Sequence, residues 1–260
     1  KMIYILIGVS ILILLLIPSG KTKNETVTGA RFGKASTHLN PYNKGFCWTG
    51  SLGASTREMA TKNLLLVAQT GAGKTTSVVV PSIYSLSRGN NSLFILDIGN
   101  DIYKATSGWL AKKNYKIYKI DFTNNSHGFN IFCWFRNIDD IEKAATVITN
   151  NATSPGSDNY WRDSSQICLS LMMQYVFFYQ SVEFKNMANV IFLIQTYSSE
   201  PHKVDRLFIK TDEKLLRAYK TFNAIPEKTR LSIISSLLSM LKIFQSPAVA
   251  RTTARNDFNL

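Results

Sequence analysis

The sequence is poor in the residues that build metal centres and catalytic triads. Its three cysteines, Cys47, Cys133 and Cys168, are odd in number and far apart. None stands at metal-ligand spacing from another, so reduced thiols in a reducing compartment are expected. The three histidines, His38, His127 and His202, fall in unrelated segments and form no metal or triad constellation. Acid is scarce as well: 17 Asp and Glu stand against 30 Lys and Arg, for a formal charge of +13. That excess favours association with polyanions, either nucleic acid or an anionic membrane surface. The basic residues form no single tract. Segments 21–62, 101–121 and 200–230 each carry a positive balance, and a solvated surface accounts for such a spread equally well. There is no internal repeat. With 45% hydrophobic and 18% charged residues the composition is globular, and 260 residues allow one large domain or two modest ones.

The amino terminus opens on an apolar run. Met2 to Ile17 carries no charge and precedes Pro18, Lys21 and Lys23. Such a run is at the short edge of what a membrane-spanning helix requires, about 17 to 25 residues. A signal peptide is the competing reading, but it would have a basic leader and a small-residue cleavage site. The chain begins with Lys1 rather than Met, so the span is expected to extend upstream. Lys21 and Lys23 place the remainder of the chain on the cytoplasmic side by the positive-inside tendency. The expectation is an N-terminal transmembrane anchor over 1–20.

The most informative stretch is Asn63-Leu-Leu-Leu-Val-Ala68 running into Gln69-Thr-Gly-Ala-Gly-Lys-Thr-Thr76. An apolar run of strand character breaks into a glycine-containing loop that ends in Gly-Lys-Thr and opens a helix. This is a phosphate-binding loop in its strand–loop–helix setting. Gly71 and Gly73 let successive N–H groups turn inward around a phosphate. Ala72, Lys74, Thr75 and Thr76 complete the candidate site, with Lys74 reaching the β/γ-phosphates and the Thr75 hydroxyl helping to hold Mg²⁺. Ala68 stands where the strict pattern has its first glycine. ATP with Mg²⁺ is the expected ligand.

Residues 18–60 read as a lead-in of short strands and turns. From Asn63 onward, strands at 63–68, 92–97 and 115–121 alternate with helices at about 75–86 and 101–112, the second with Asn100 as N-cap. That alternation predicts an α/β part with a parallel sheet. After Phe135 the period becomes helical over 139–150, 158–182, 186–197, 211–224 and 228–244. One apolar stripe joins Trp161, Cys168, Leu171, Met172, Tyr175, Val176 and Tyr179; another joins Ile234, Leu237, Leu238, Leu241 and Phe244. Both are read as core. The boundaries are an anchor over 1–20, a phosphate-loop part over 21–135, an all-α domain over 136–250 and a return segment over 251–260.

Hydrolysis also needs an acid for Mg²⁺ and a group that orients water. Asp97, at the carboxyl end of the strand after the loop helix, is the candidate, although strand order decides whether it reaches the metal. Asp101 serves equally well as a helix-start residue, and Asp121 ends a third strand with the same ambiguity. Catalytic residues stay unassigned.

Several landmarks succeed one another in order: Ala30-Arg-Phe-Gly-Lys34, Lys44-Gly-Phe46, Thr49-Gly50, the loop 68–76, Val80-Pro81, Ser92-Leu-Phe-Ile-Leu-Asp97, Thr106-Ser-Gly-Trp109, Ser126-His-Gly-Phe-Asn130 and Asn159-Tyr-Trp161. Together they resemble the type IV secretion coupling proteins, the TraG/TraD kind of conjugative DNA-transfer ATPase, over roughly residues 28–258. The resemblance implies a RecA-like motor domain interrupted by an all-α domain. It also implies a hexameric ring at the bacterial inner membrane, single-stranded DNA or a DNA–protein complex as cargo, and secretion-channel proteins as partners. In the family, Asp-Pro-Lys-Gly-Glu often comes after the second strand. Here Asp97-Ile-Gly-Asn-Asp101 keeps two acids and lacks the lysine and proline. The family's second motor half, with its Asp-Glu pair, is expected downstream of Leu260.

The sequence supports three readings. The first is a membrane-anchored ATPase motor of conjugation, represented by part of its chain. The second is a catalytically inactive, nucleotide-binding remnant that serves as a membrane or partner-binding module. The third, a chromosome-segregation translocase, is disfavoured by the landmarks outside the loop.

Overall fold

The amphipathic stripes after residue 135 sort the chain into helices that bury one face. The computed structural model describes residues 39–49, 53–122, 126–153 and 159–258, and its packing divides between Ile117 and Tyr118 into two units.

In unit 1, three short antiparallel strands, β1 (Leu39–Asn40), β2 (Cys47–Thr49) and β3 (Gly53–Ser55), form a sheet in the order β1-β3-β2. Leu39 is opposite Ser55 and Cys47 opposite Ala54, with a register shift between Cys47 and Thr49. Helix α1 (Arg57–Ala60) comes next, with the Thr56 hydroxyl accepting from the Met59 N–H. The phosphate-loop segment leads through a π turn, Thr75–Val79, into α2 (Val80–Ser87). Helix α3 spans Asp101–Lys112.

Helix α2 lies between the small sheet and α3, and hydroxyl groups make most of the joins. The Cys47 N–H donates to Ser82 Oγ at 2.9 Å and Ser85 Oγ donates to the Asn43 carbonyl at 3.2 Å. Toward α3, Tyr84 Oη donates to the Ala105 carbonyl at 2.7 Å and Trp109 Nε1 to Ser87 Oγ at 3.1 Å. Tyr84 and Trp109 also meet edge to face at 5.5 Å.

The segments 63–68 and 92–97, expected as parallel strands, carry no ladder hydrogen bonds among the described residues, and neither does 115–121. Leu65, Val67, Phe94 and Leu96 are exposed. The physical reason is that a strand must satisfy its N–H and C=O groups on a neighbour. An apolar sequence of the right length supplies no such neighbour. A parallel RecA-like sheet is therefore not formed by the described residues, whose sheet is small and antiparallel. The expected anchor over 1–20 lies outside the described residues. Among those described, no helix is long and apolar enough to cross a membrane.

Unit 2 is helical. It holds α4 (Ile138–Ala152), α5 (Asn159–Tyr179), α6 (Met187–Ser199), α7 (Pro201–Phe208), α8 (Glu213–Asn223), α9 (Glu227–Met240) and α10 (Pro247–Ala254). Side-chain caps fix several starts: Asn137 accepts from Asp140 N–H, Asn186 from Asn189 N–H, and Asp212 from the N–H groups of Lys214 and Leu215. Cys168, Leu171, Met172, Tyr175 and Val176 of the α5 stripe are buried, as are Ile234, Leu237 and Leu241 near the end of the chain. Tyr179 and Trp161, placed in the same stripe by sequence, are more exposed. Tyr179 stacks on Tyr175 at 5.8 Å and donates to Asp212 Oδ2 at 2.5 Å.

The two ends of unit 2 lie side by side. Phe129 N–H donates to the Thr252 carbonyl at 2.8 Å, Gly128 N–H to Asp257 Oδ2 at 2.7 Å, and Asp257 N–H to the Gly128 carbonyl at 3.1 Å. A Cβ at Gly128 would run into Arg255, so this close approach requires glycine. Phe258 stacks on Tyr118 at 4.4 Å and meets Phe129 edge to face at 5.5 Å.

Candidate nucleotide site

Local backbone chemistry shapes the loop at 68–77. Gly71 has φ +82° and Gly73 φ +79°, both in the left-handed region that side chains disfavour. A Cβ at Gly71 would meet nothing within 4 Å, so backbone torsion rather than space calls for glycine there. At Gly73 a Cβ would press on Ser77 Oγ at 3.3 Å and Thr76 Oγ1 at 3.4 Å, so the inside of the turn is also narrow. Ala72 N–H donates to the Gln69 carbonyl at 3.3 Å, and Ser77 N–H to the Gly73 carbonyl at 2.8 Å. Thr76 Oγ1 donates to the same Gly73 carbonyl at 3.1 Å.

Lys74 folds back on the loop. Its Nζ donates to the carbonyl oxygens of Ala68 at 2.6 Å and Gln69 at 2.7 Å. The loop is thus closed by its own lysine. Ala68, the position where the sequence departs from the strict glycine pattern, contributes only its carbonyl, which any residue supplies. The residues from Gly71 to Thr76 stand together as one turn, and the Thr75 side chain is exposed. The donors present are backbone N–H groups, one ammonium and two threonine hydroxyls. That set suits phosphate oxygens, with a hydroxyl suited to a hard cation. Among the described residues no group of three or more His, Cys, Asp or Glu could hold a metal ion.

The carboxylates are engaged elsewhere. Asp97 Oδ2 accepts from the Tyr103 N–H at 2.8 Å, which makes Asp97 the cap of α3. Asn100 occupies the N-cap position with φ 60° but makes no side-chain cap bond. Asp101 approaches Lys104 at 4.0 Å across one turn. Asp121 belongs to unit 2 and pairs with Lys119 at 3.0 Å. The structure therefore assembles the loop residues, and gives each of the three acids a local partner.

Behind the loop, β2 grips the start of α2. Cys47 Sγ donates to the Pro81 carbonyl at 3.4 Å, and Ser82 Oγ lies between the N–H and carbonyl of Cys47. Burial pushes the Cys47 thiol above its ordinary range, opposed by a hydrogen bond to Ser85 and the nearby Arg88 charge. Sequence reasoning did not find this grip, nor the carbonyls that hold Lys74. Backbone groups and scattered serines leave no motif.

The sequence profile of the family described as "Type IV secretory system Conjugative DNA transfer" matches residues 19–260. The conjugal transfer protein TraG of Escherichia coli is 23% identical over 226 residues, which cover 78% of this chain and 34% of TraG. This chain thus spans about a third of the length of that curated relative. No solved structure matches.

Proposed function

The chain belongs to the conjugative DNA-transfer family of type IV secretory systems, and on that premise we propose that it is a membrane-anchored, ATP-binding coupling protein of such a system. The observation that carries the nucleotide site is the loop itself: two glycines in the left-handed region beside a lysine whose ammonium is held by two loop carbonyls. Lys74 has to exchange those two carbonyls for phosphate oxygens, a trade of neutral acceptors for charged ones that strengthens its hydrogen bonds. Backbone N–H groups of the turn at 71–75 meet the remaining phosphate oxygens. Thr75 offers its hydroxyl to Mg²⁺, which would neutralise charge on the phosphates.

Family membership supports the finer parts of the proposal. The segments 63–68, 92–97 and 115–121 are strands of a RecA-like sheet in the assembled protein, completed by further strands that cover their apolar faces. Residues 1–20 anchor the chain in the bacterial inner membrane, with the rest cytoplasmic. The cargo is single-stranded DNA or a DNA–protein complex, and the working form is a hexameric ring docked on secretion-channel proteins. The net charge of +13 suits a polyanionic cargo.

One observation favours a second reading, in which the chain binds nucleotide without turnover. Asp97 spends its carboxylate on the Tyr103 N–H, and the segment Asp97 to Asp101 lacks the lysine of the family's second motif. ATP turnover by the detergent-solubilised chain, with and without single-stranded DNA, separates the two. DNA-stimulated turnover that is abolished in Lys74→Ala supports the motor. Binding without turnover supports the second reading, and turnover unchanged in Lys74→Ala removes the loop from both.

A further inference from the structure

The stretch that joins the phosphate loop to its helix is not α-helical. Thr75–Val79 forms a π turn in which Val80 N–H donates to the Thr75 carbonyl, five residues back. The cause lies just beyond it. In a continuous α-helix Pro81 would face the Ser77 carbonyl with no N–H to offer and a ring that collides with it. A wider π turn moves that carbonyl aside. Pro81 then stands in the first turn of α2, where a missing N–H breaks no bond.

The proline also separates two environments. From Pro81 onward α2 is anchored: Cys47 Sγ holds the Pro81 carbonyl, Ser82 and Ser85 bond to β2 and to Asn43, and Ile83 is buried. On the other side the π turn packs its far end, Val78 and Val79, half-buried in the neighbourhood of β2, while its first residues, Thr75, Thr76 and Ser77, are exposed. Lys74 and Thr75 thus sit at the exposed end of the turn, coupled to a fixed helix through a residue that has no N–H to donate.

We propose that Pro81 is a positioning residue for the phosphate loop, a hinge that holds the turn 75–79 out of α register so that Lys74 and Thr75 can rotate toward a bound triphosphate while α2 stays clamped. The proposal rests on the nucleotide reading above. A ligand shifts such an equilibrium only by binding one register better than the other. Removing the proline should therefore lock the turn into α register and lower the competent fraction.

The test uses the full chain in detergent with a fluorescent ATP analogue and Mg²⁺, together with amide hydrogen exchange. In Pro81→Ala, analogue affinity should fall about tenfold, as expected for a binding-competent state that has become rarer. Tm should hold or rise, and amide exchange over 76–80 should slow. Ser82→Ala should do the reverse, lowering Tm while the folded chain keeps its affinity. Wild-type affinity in Pro81→Ala, unchanged exchange over 76–80, or an affinity loss matched by a fall in Tm each overturns the hinge. Those results leave the nucleotide site standing as long as Lys74→Ala abolishes binding. A wild-type chain that fails to bind the analogue overturns both.

Discussion

Among the described residues, twenty-seven apolar side chains are buried in unit 2 and three, Ala54, Ile83 and Leu110, in unit 1. In unit 2 each amphipathic helix finds its partners within the unit, so one contiguous core runs from Phe132 to Leu241. In unit 1 the buried groups are more often hydroxyls: Ser55, Ser82, Ser85, Ser87 and Thr106. Its most apolar segments lie in the open, with Phe94 95% and Val67 83% exposed. One unit is held by burial and the other by directed hydrogen bonds, and the phosphate loop sits in the second.

The contrast can be broken most forcefully in the helical core. Phe208 is fully buried and stacks on Tyr219 at 4.0 Å. Phe208→Ala should destabilise unit 2 by about 3–5 kcal/mol, the usual range for a buried aromatic. Denaturant unfolding tracked by near-UV circular dichroism would read it, and a loss under about 1 kcal/mol would mean that this core is not well packed.

In unit 1 the corresponding weak point is a hydroxyl. Ser82→Ala removes the acceptor for Cys47 N–H and should cost about 1–2 kcal/mol, the scale of one partly buried hydrogen bond left unmade. If thermal unfolding of unit 1 were unmoved by it, the sheet would not depend on α2.

A smaller effect comes from charge at the start of α8. Hydrogen bonds from Tyr179 Oη and from the Leu215 and Lys214 N–H groups hold the Asp212 carboxyl below its ordinary value. The same bond raises Tyr179 above the usual tyrosine range. Because the folded value is the lower one, the contribution is complete above the unfolded carboxyl pKa of about 3.9. It is lost as pH falls from there through the folded value. Tyr179→Phe should flatten that acid limb slightly in a Tm-against-pH series, and an identical limb would rule the bond out as a contributor.

The helices were legible to within a few residues. Helix α3 occupies 101–112 as read, and α4 exceeds the reading of 139–150 by one residue at the start and two at the end. Helices α7 and α10 went unread because each opens on a proline, Pro201 and Pro247. A proline in the first turn starts a helix as readily as one further along breaks it. In the candidate site, the left-handed turn at Gly71 and Gly73 was legible from its spacing. The engagement of Asp97 with α3 was not, because a carboxylate two residues before a glycine turn reads alike whether it caps a helix or faces a metal.

By itself, the sequence determined the glycine turn at 71–73, the helical second half with its buried stripes, and a family relation that covers residues 19–260. Each depends on residues close together in the chain: a helix bonds four residues back, and a glycine turn closes over six. Only the tertiary structure decided that the apolar strand segments stay unpaired among the described residues, that β2 grips the start of α2, and that the two ends of unit 2 meet. Those outcomes depend on groups brought from far along the chain, such as Cys47 against Ser82 and Gly128 against Asp257, and no local pattern encodes a partner that lies so far away.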